Sequence, residues 1–166
     1  MKIFRKIYYN IKYFIQRGKR GYSDFDLMDM DIYLLDLIPN MLKNFKNKKD
    51  GFPSDLDEES WNNILKEMIE HFEKANLSTT DFENPYLNIY YESVVDPWFN
   101  KVLKPQIKTI EKGKQNFITL DMSTPEECKD LEKLYKNAEK EKKEYLQKNL
   151  EQGFKLLVNY FHYLWY

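Results

Sequence analysis

A chain of 166 residues, 42% hydrophobic, 32% charged and 16% aromatic, is long enough for one domain with a real core and too short for two comfortable ones. That composition excludes disordered, fibrous and membrane-spanning chains, and 26 basic against 27 acidic residues leave no bulk charge that points to nucleic acid or an acidic partner. The single cysteine, Cys128, excludes an internal disulfide and fits a reducing compartment.

Residues 1–20 hold seven basic side chains (Lys2, Arg5, Lys6, Lys12, Arg17, Lys19, Arg20) and no acid, whereas residues 21–60 hold ten acids against four lysines. A basic arm thus precedes an acidic body. Ile3, Ile7, Ile11 and Phe14 recur at helical spacing, so residues 1–20 read as a basic amphipathic helix. Such a helix can bind nucleic-acid phosphates or dock on anionic lipid. The reading we weigh more heavily packs its apolar stripe on the core, with its charges paired loosely to the acidic body. Asn10 and Lys12 interrupt the apolar run, and no small-residue cleavage site follows, so a leader peptide is not expected.

After Gly18 and Gly21, the run from Ser23 to Asp26 has the form of a capping box and predicts a helix start near Asp24, which Asp31 can restart or continue. Ile32, Leu35, Ile38, Leu42 and Phe45 continue as a stripe to about Lys48. Pro39 falls inside it and predicts a kink or two shorter helices. Asp50-Gly51 and Pro53 then mark a turn. Asp57 can cap the next helix, with Glu58 and Glu59 in its first turn and Trp61, Ile64, Leu65, Met68, Ile69 and Phe72 on one core-facing side. This helix should fade near Ala75-Asn76.

Residues 80–124 read as an insertion with no clear pattern. Tyr86 to Val95 suits helix or strand, and Asp96-Pro97 can open a helix with Trp98, Val102 and Ile110 inward and Pro105 interrupting it. Gly113 to Met122 reads as loop, with an extended piece at Phe117 to Leu120. Thr124-Pro125-Glu126-Glu127 is a helix start, and nothing but Gly153 argues for a break in the long C-terminal helix expected over 125–165. Its first half has a thin stripe of Leu131, Leu134, Ala138, Tyr145 and Leu146. The second half is richer: Leu150, Phe154, Leu157, Val158, Phe161, Leu164 and Trp165. No stretch reaches the ~20 apolar residues of a membrane-spanning helix.

Three blocks invite comparison: Arg17 to Asp26 with Tyr33-Leu34 and Ile38-Pro39; Gly51-Phe52-Pro53 with Trp61 to Ile69; and Glu151 to Phe154 with Tyr160 to Trp165. They resemble an uncharacterised family of small proteins encoded by tailed phages and prophages. The resemblance covers roughly residues 17–75 and 145–165, and it implies a phage-encoded accessory protein without assigning an activity.

Chemistry finds little support. Asp24, Asp26, Asp29 and Asp31 offer hard oxygens for Mg²⁺, but they lack the glycine and distant glutamate of a calcium loop and would not converge on a helix. Glu67, Glu70 and His71 miss the Glu-x-x-His spacing of a di-iron bundle. His162 stands alone, and Cys128 lies among Glu126, Glu127 and Asp130, which oppose thiolate formation. No phosphate-binding glycine loop, zinc spacing or serine elbow is present. The 13 tyrosines, 11 phenylalanines and three tryptophans exceed the needs of one small core, and exposed rings favour interfaces. Tyr8, Tyr9 and Tyr13, among basic residues, could also stack on bases.

These readings predict an all-α, single-domain helical bundle of four to six helices with a long C-terminal helix, acting by binding rather than catalysis. The first expectation is a protein partner or self-association through Tyr160, Phe161 and Trp165. The alternative is nucleic-acid binding through Lys2, Arg5, Lys6, Lys12, Arg17, Lys19 and Arg20, and a second alternative is a metal-assisted enzyme using the Asp24–Asp31 cluster. Neither a cofactor nor a resident metal is expected, and the compartment expected is the cytoplasm.

Overall fold

The computed structural model describes residues 2–100 and 126–164, with side chains from residue 4 onward. The expectations for Val102, Pro105, Ile110, the loop at Gly113 to Met122, Thr124-Pro125 and Trp165 lie outside the described residues. The fold is all-α: α1 (Lys2–Arg20), α2 (Met30–Lys48), α3 (Glu58–Ala75), α4 (Leu87–Tyr90), α5 (Asp96–Trp98) and the long α6 (Lys129–Tyr160), with no strand among the described residues. A π-helical turn, Tyr91–Val95, joins α4 to α5, and 3₁₀ turns at Glu126–Cys128 and Phe161–Tyr163 flank α6. The segment that suited helix or strand is therefore helical. The chain divides into two units, Met1–Asp81 with Leu146–Tyr166, and Phe82–Tyr145.

The first unit is organised by α3. Its N-cap is Asp57, whose carboxylate accepts from the Ser60 amide (2.7 Å) and hydroxyl (2.8 Å), satisfying a donor the helix cannot satisfy itself. The apolar face lies where its spacing predicts: Trp61, Leu65, Met68, Ile69 and Phe72 are buried, with Ile64 at the margin of the same cluster. Leu35, Ile38, Leu42 and Phe45 of α2 close one side of it, and Leu150, Leu157 and Tyr160 of α6 also pack against it. Trp61 meets the Tyr160 ring at 5.9 Å and Phe72 meets Phe154 edge-on at 5.2 Å, arrangements that suit the aromatic quadrupole. His71 Nδ1–H donates to Asn149 Oδ1 (2.9 Å), a polar tie between α3 and α6 at the edge of this core.

Three local expectations are corrected. Ser23 and Asp26 do form a reciprocal turn, in which the Ser23 amide and hydroxyl donate to Asp26 Oδ2 (2.7 and 2.8 Å). Yet the chain only turns there: the Asp26 and Met28 amides bond three residues back, to the Ser23 and Phe25 carbonyls (both 3.1 Å), and α2 starts at Met30. Pro39 sits inside an undivided α2, which removes the alternative of two shorter helices, and it is buried like Leu42. Gly153 lies within a continuous α6, as the long C-terminal helix expected there requires, and it is buried against the Phe72 ring, which a Cβ would meet at 3.3 Å. Val158, which the stripe of the C-terminal helix places inward, is exposed, and Phe154 touches Phe72 with one edge while remaining 42% exposed.

The second unit is tied by Asn84, whose amide donates to the Tyr135 carbonyl (3.2 Å) and Glu139 Oε1 (2.8 Å) while its oxygen accepts from the Tyr86 amide (2.9 Å). All three bonds satisfy a buried side chain, as burial requires. Tyr90 and Tyr135 stack in parallel at 4.2 Å, and Val94 and Ala138 are buried in the same unit.

Candidate docking helix

The Arg20 end of α1 determines how the helix is mounted. Gly21 takes φ +84°, in the left-handed region open to glycine, and its amide donates to the Arg17 carbonyl (2.9 Å). The chain therefore doubles back at once, which carries residues 23–26 to the polar side of α1. There Arg17 forms a two-pronged ion pair with Asp26, its Nε donating to Oδ2 at 2.9 Å. Asp24 receives Arg20, the Gln16 amide (2.6 Å) and Lys12 (3.4 Å). The Tyr13 ring lies 5.8 Å from Phe25, and the Tyr33 hydroxyl donates to the Gly21 carbonyl (2.7 Å).

Both carboxylates are held ionised. Hydrogen bonding by the Arg17 guanidinium, helped by Ser23, keeps Asp26 far below the usual carboxylate range despite its burial. For Asp24 the Gln16 amide and then Arg20 lower the pKa to about 2. The same Asp26 contact raises Arg17. In consequence the contacts of α1 with the rest of its unit come from Tyr13, Gln16, Arg17 and their polar neighbours.

The opposite face is apolar and open. Phe4 is 80% exposed, Ile11 55% and Phe14 76%, and Ile7 and Ile15 on the same side are exposed as well. This corrects the expectation that the stripe of α1 packs on the core. Pairing of its charges with the acidic body is present; burial of its apolar residues is not. The helix is mounted with its polar side inward, because the tight return at Gly21 and the Asp24 and Asp26 carboxylates engage that side. Phe4 and Ile15 extend the stripe beyond the residues read from spacing. No stretch of sequence marks the outward direction, since an amphipathic period is the same whichever way it faces.

The other expected sites divide. Of the basic residues, Lys12, Arg17 and Arg20 are engaged with carboxylates, while Arg5, Lys6 and Lys19 form no ion pair among the described residues. Tyr9 and Tyr13 stack on each other at 5.9 Å, which leaves Tyr8 as the more exposed ring of the three. Asp24 and Asp26 face guanidinium groups rather than Asp29 and Asp31, and no group of three or more His, Cys, Asp or Glu able to hold a metal ion occurs among the described residues. Tyr160 packs on Trp61 and Tyr163 and belongs to the core, whereas Phe161 is 61% exposed. Phe161 lies with Phe154 and Val158 in the C-terminal part of α6 and the turn after it. None of the described helices is long and apolar enough to cross a membrane. No family model, curated protein or solved structure matches the chain.

Proposed function

We propose that this is a non-catalytic attachment protein, in which α1 is the docking element and the helical body is what it holds in place. One observation supports the reading most strongly: the polar side of α1 is fastened to the Ser23–Asp26 turn while Phe4, Ile7, Ile11, Phe14 and Ile15 face water. An apolar face of this size on one helix marks an interaction site, because water penalises it by an amount proportional to area. Phosphate contacts by the basic side chains alone would leave that face unexplained.

The test is a photo-reactive side chain placed at Ile7 on the open face, and separately at Gln16 on the mounted face, in extracts that retain membranes. Transfer of the label from position 7 but not 16, lost when Phe4 and Phe14 become serine, supports the proposal. Equal labelling from both positions, or none from position 7, contradicts it. A second reading rests on Phe154, Val158 and Phe161, whose exposure fits a protein partner for the C-terminal helix. Phe161→Ser with an unchanged fold and the loss of a defined complex would favour it, in keeping with the role expected of an accessory protein.

A further inference from the structure

The open face of α1 has a chemistry that identifies its occupant, and this inference rests on the attachment reading above. We propose that α1 lies in the interface of an anionic lipid bilayer, its apolar side sunk among the acyl chains and its basic side chains among the headgroups. The residues divide accordingly. Phe4, Ile7, Ile11, Phe14 and Ile15 form the buried side, and Arg5, Lys6 and Lys19 are cations without an ion pair among the described residues. Not one acid occurs in residues 1–20. A helix whose polar side is rich in Lys and Arg and whose other side bears Phe and Ile has the partition of an in-plane interfacial helix.

Charge complementarity selects the surface. Residues 21–60 hold ten acids against four lysines, so an anionic bilayer attracts α1 and repels the acidic segment beyond it. The mounting accommodates both forces, because the Ser23–Asp26 turn is fastened to the side of α1 opposite the open face. With Phe4 and Phe14 directed into lipid, that turn lies on the water side of the helix, and Asp24 and Asp26 are already neutralised by Arg20 and Arg17. Tyr8, exposed on α1, supplies an amphipathic ring suited to the headgroup level.

The experiment is co-sedimentation of the full chain with large vesicles of phosphatidylcholine alone or with phosphatidylglycerol added, at low and high salt. Binding is expected on the mixed vesicles and not on phosphatidylcholine alone, with weakening by salt. Ile11→Asp with Phe14→Asp should abolish it, and Phe14→Leu should retain it. Charge removal at Arg5, Lys6 and Lys19 should weaken it about fivefold for each residue. Circular dichroism of each variant shows that the fold is kept. Equal binding to both vesicle types, or binding unaffected by the aspartate pair, overturns the proposal. Absence of vesicle binding together with transfer of the position-7 label to a protein overturns the bilayer and leaves the attachment reading standing. Absence of both removes the two together.

Discussion

Phe14 and Phe72 offer the same side chain in opposite surroundings, and replacing each with alanine separates a docking face from a core. Phe72 has no exposure, lies on α3, touches Phe154 edge-on and closes over Gly153. Its removal forfeits the transfer of a full ring and leaves a cavity, about 3–5 kcal/mol. Phe14 is 76% exposed, so about a quarter of its surface is withdrawn from water; at about 1.5–3 kcal/mol for complete burial, that is worth roughly 0.4–0.7 kcal/mol. Alanine recovers a comparable amount, about 0.5 kcal/mol, through its higher helix propensity. Phe14→Ala should therefore be neutral and Phe72→Ala severe. Urea unfolding followed by far-ultraviolet circular dichroism and tryptophan fluorescence measures both, with unchanged m-values as the check on a common unfolding reaction. A loss of about 2 kcal/mol or more at Phe14 would show that the stripe of α1 is core after all, and the docking argument would fall.

Three further outcomes follow from the geometry. Gly153→Ala gains about 1 kcal/mol of helix propensity but sets a Cβ 3.3 Å from a Phe72 ring that has no room to withdraw, so we expect no net gain by urea unfolding, and Gly153→Val should lose about 1–3 kcal/mol. A clear stabilisation by alanine would show that α6 can retreat from α3. Asp24 and Asp26 titrate lower when folded than unfolded, so their contribution is complete above about pH 5 and is lost as pH falls through the unfolded and then the folded values; the Asp24 carboxyl carbon should titrate by NMR with a midpoint of about 2, and a midpoint near ~4 would show that the clasp on α1 is open in solution. Asn84→Asp replaces two donated bonds with a carboxylate facing the Tyr135 carbonyl and Glu139, so at neutral pH it should cost more than the about 1–3 kcal/mol of Asn84→Ala. Equal effects would indicate that water fills the site.

How much was legible in the sequence depends on whether a pattern was local. Asp57 with Ser60, followed by the six-residue stripe of α3, is a cap and a period, and both are present with the burial they imply. Ser23 with Asp26 has the same local form, yet it makes a turn, and its tie to Arg17, nine residues earlier, depends on the return at Gly21, which a local pattern does not encode. Gly153 was legible as the weakest point of a continuous helix, but its use was not: it leaves space for Phe72, a residue of another helix. The docking face was half legible. Spacing identifies Ile7, Ile11 and Phe14 as one side of a helix, and the run of seven basic residues identifies the other. Which side faces the body is decided by Gln16, Arg17 and Arg20 meeting Asp24 and Asp26, contacts that the period does not encode.

The attachment of α1 to a bilayer is tested most directly by an environment-sensitive fluorophore on Ile11→Cys, in a Cys128→Ser background, compared with the same label on Gln16→Cys. On adding vesicles containing phosphatidylglycerol, the label at position 11 should shift its emission to the blue as it leaves water, while that at position 16 should remain nearly unchanged. No shift at position 11, or equal shifts at both positions, would contradict a helix that lies on lipid by its open face.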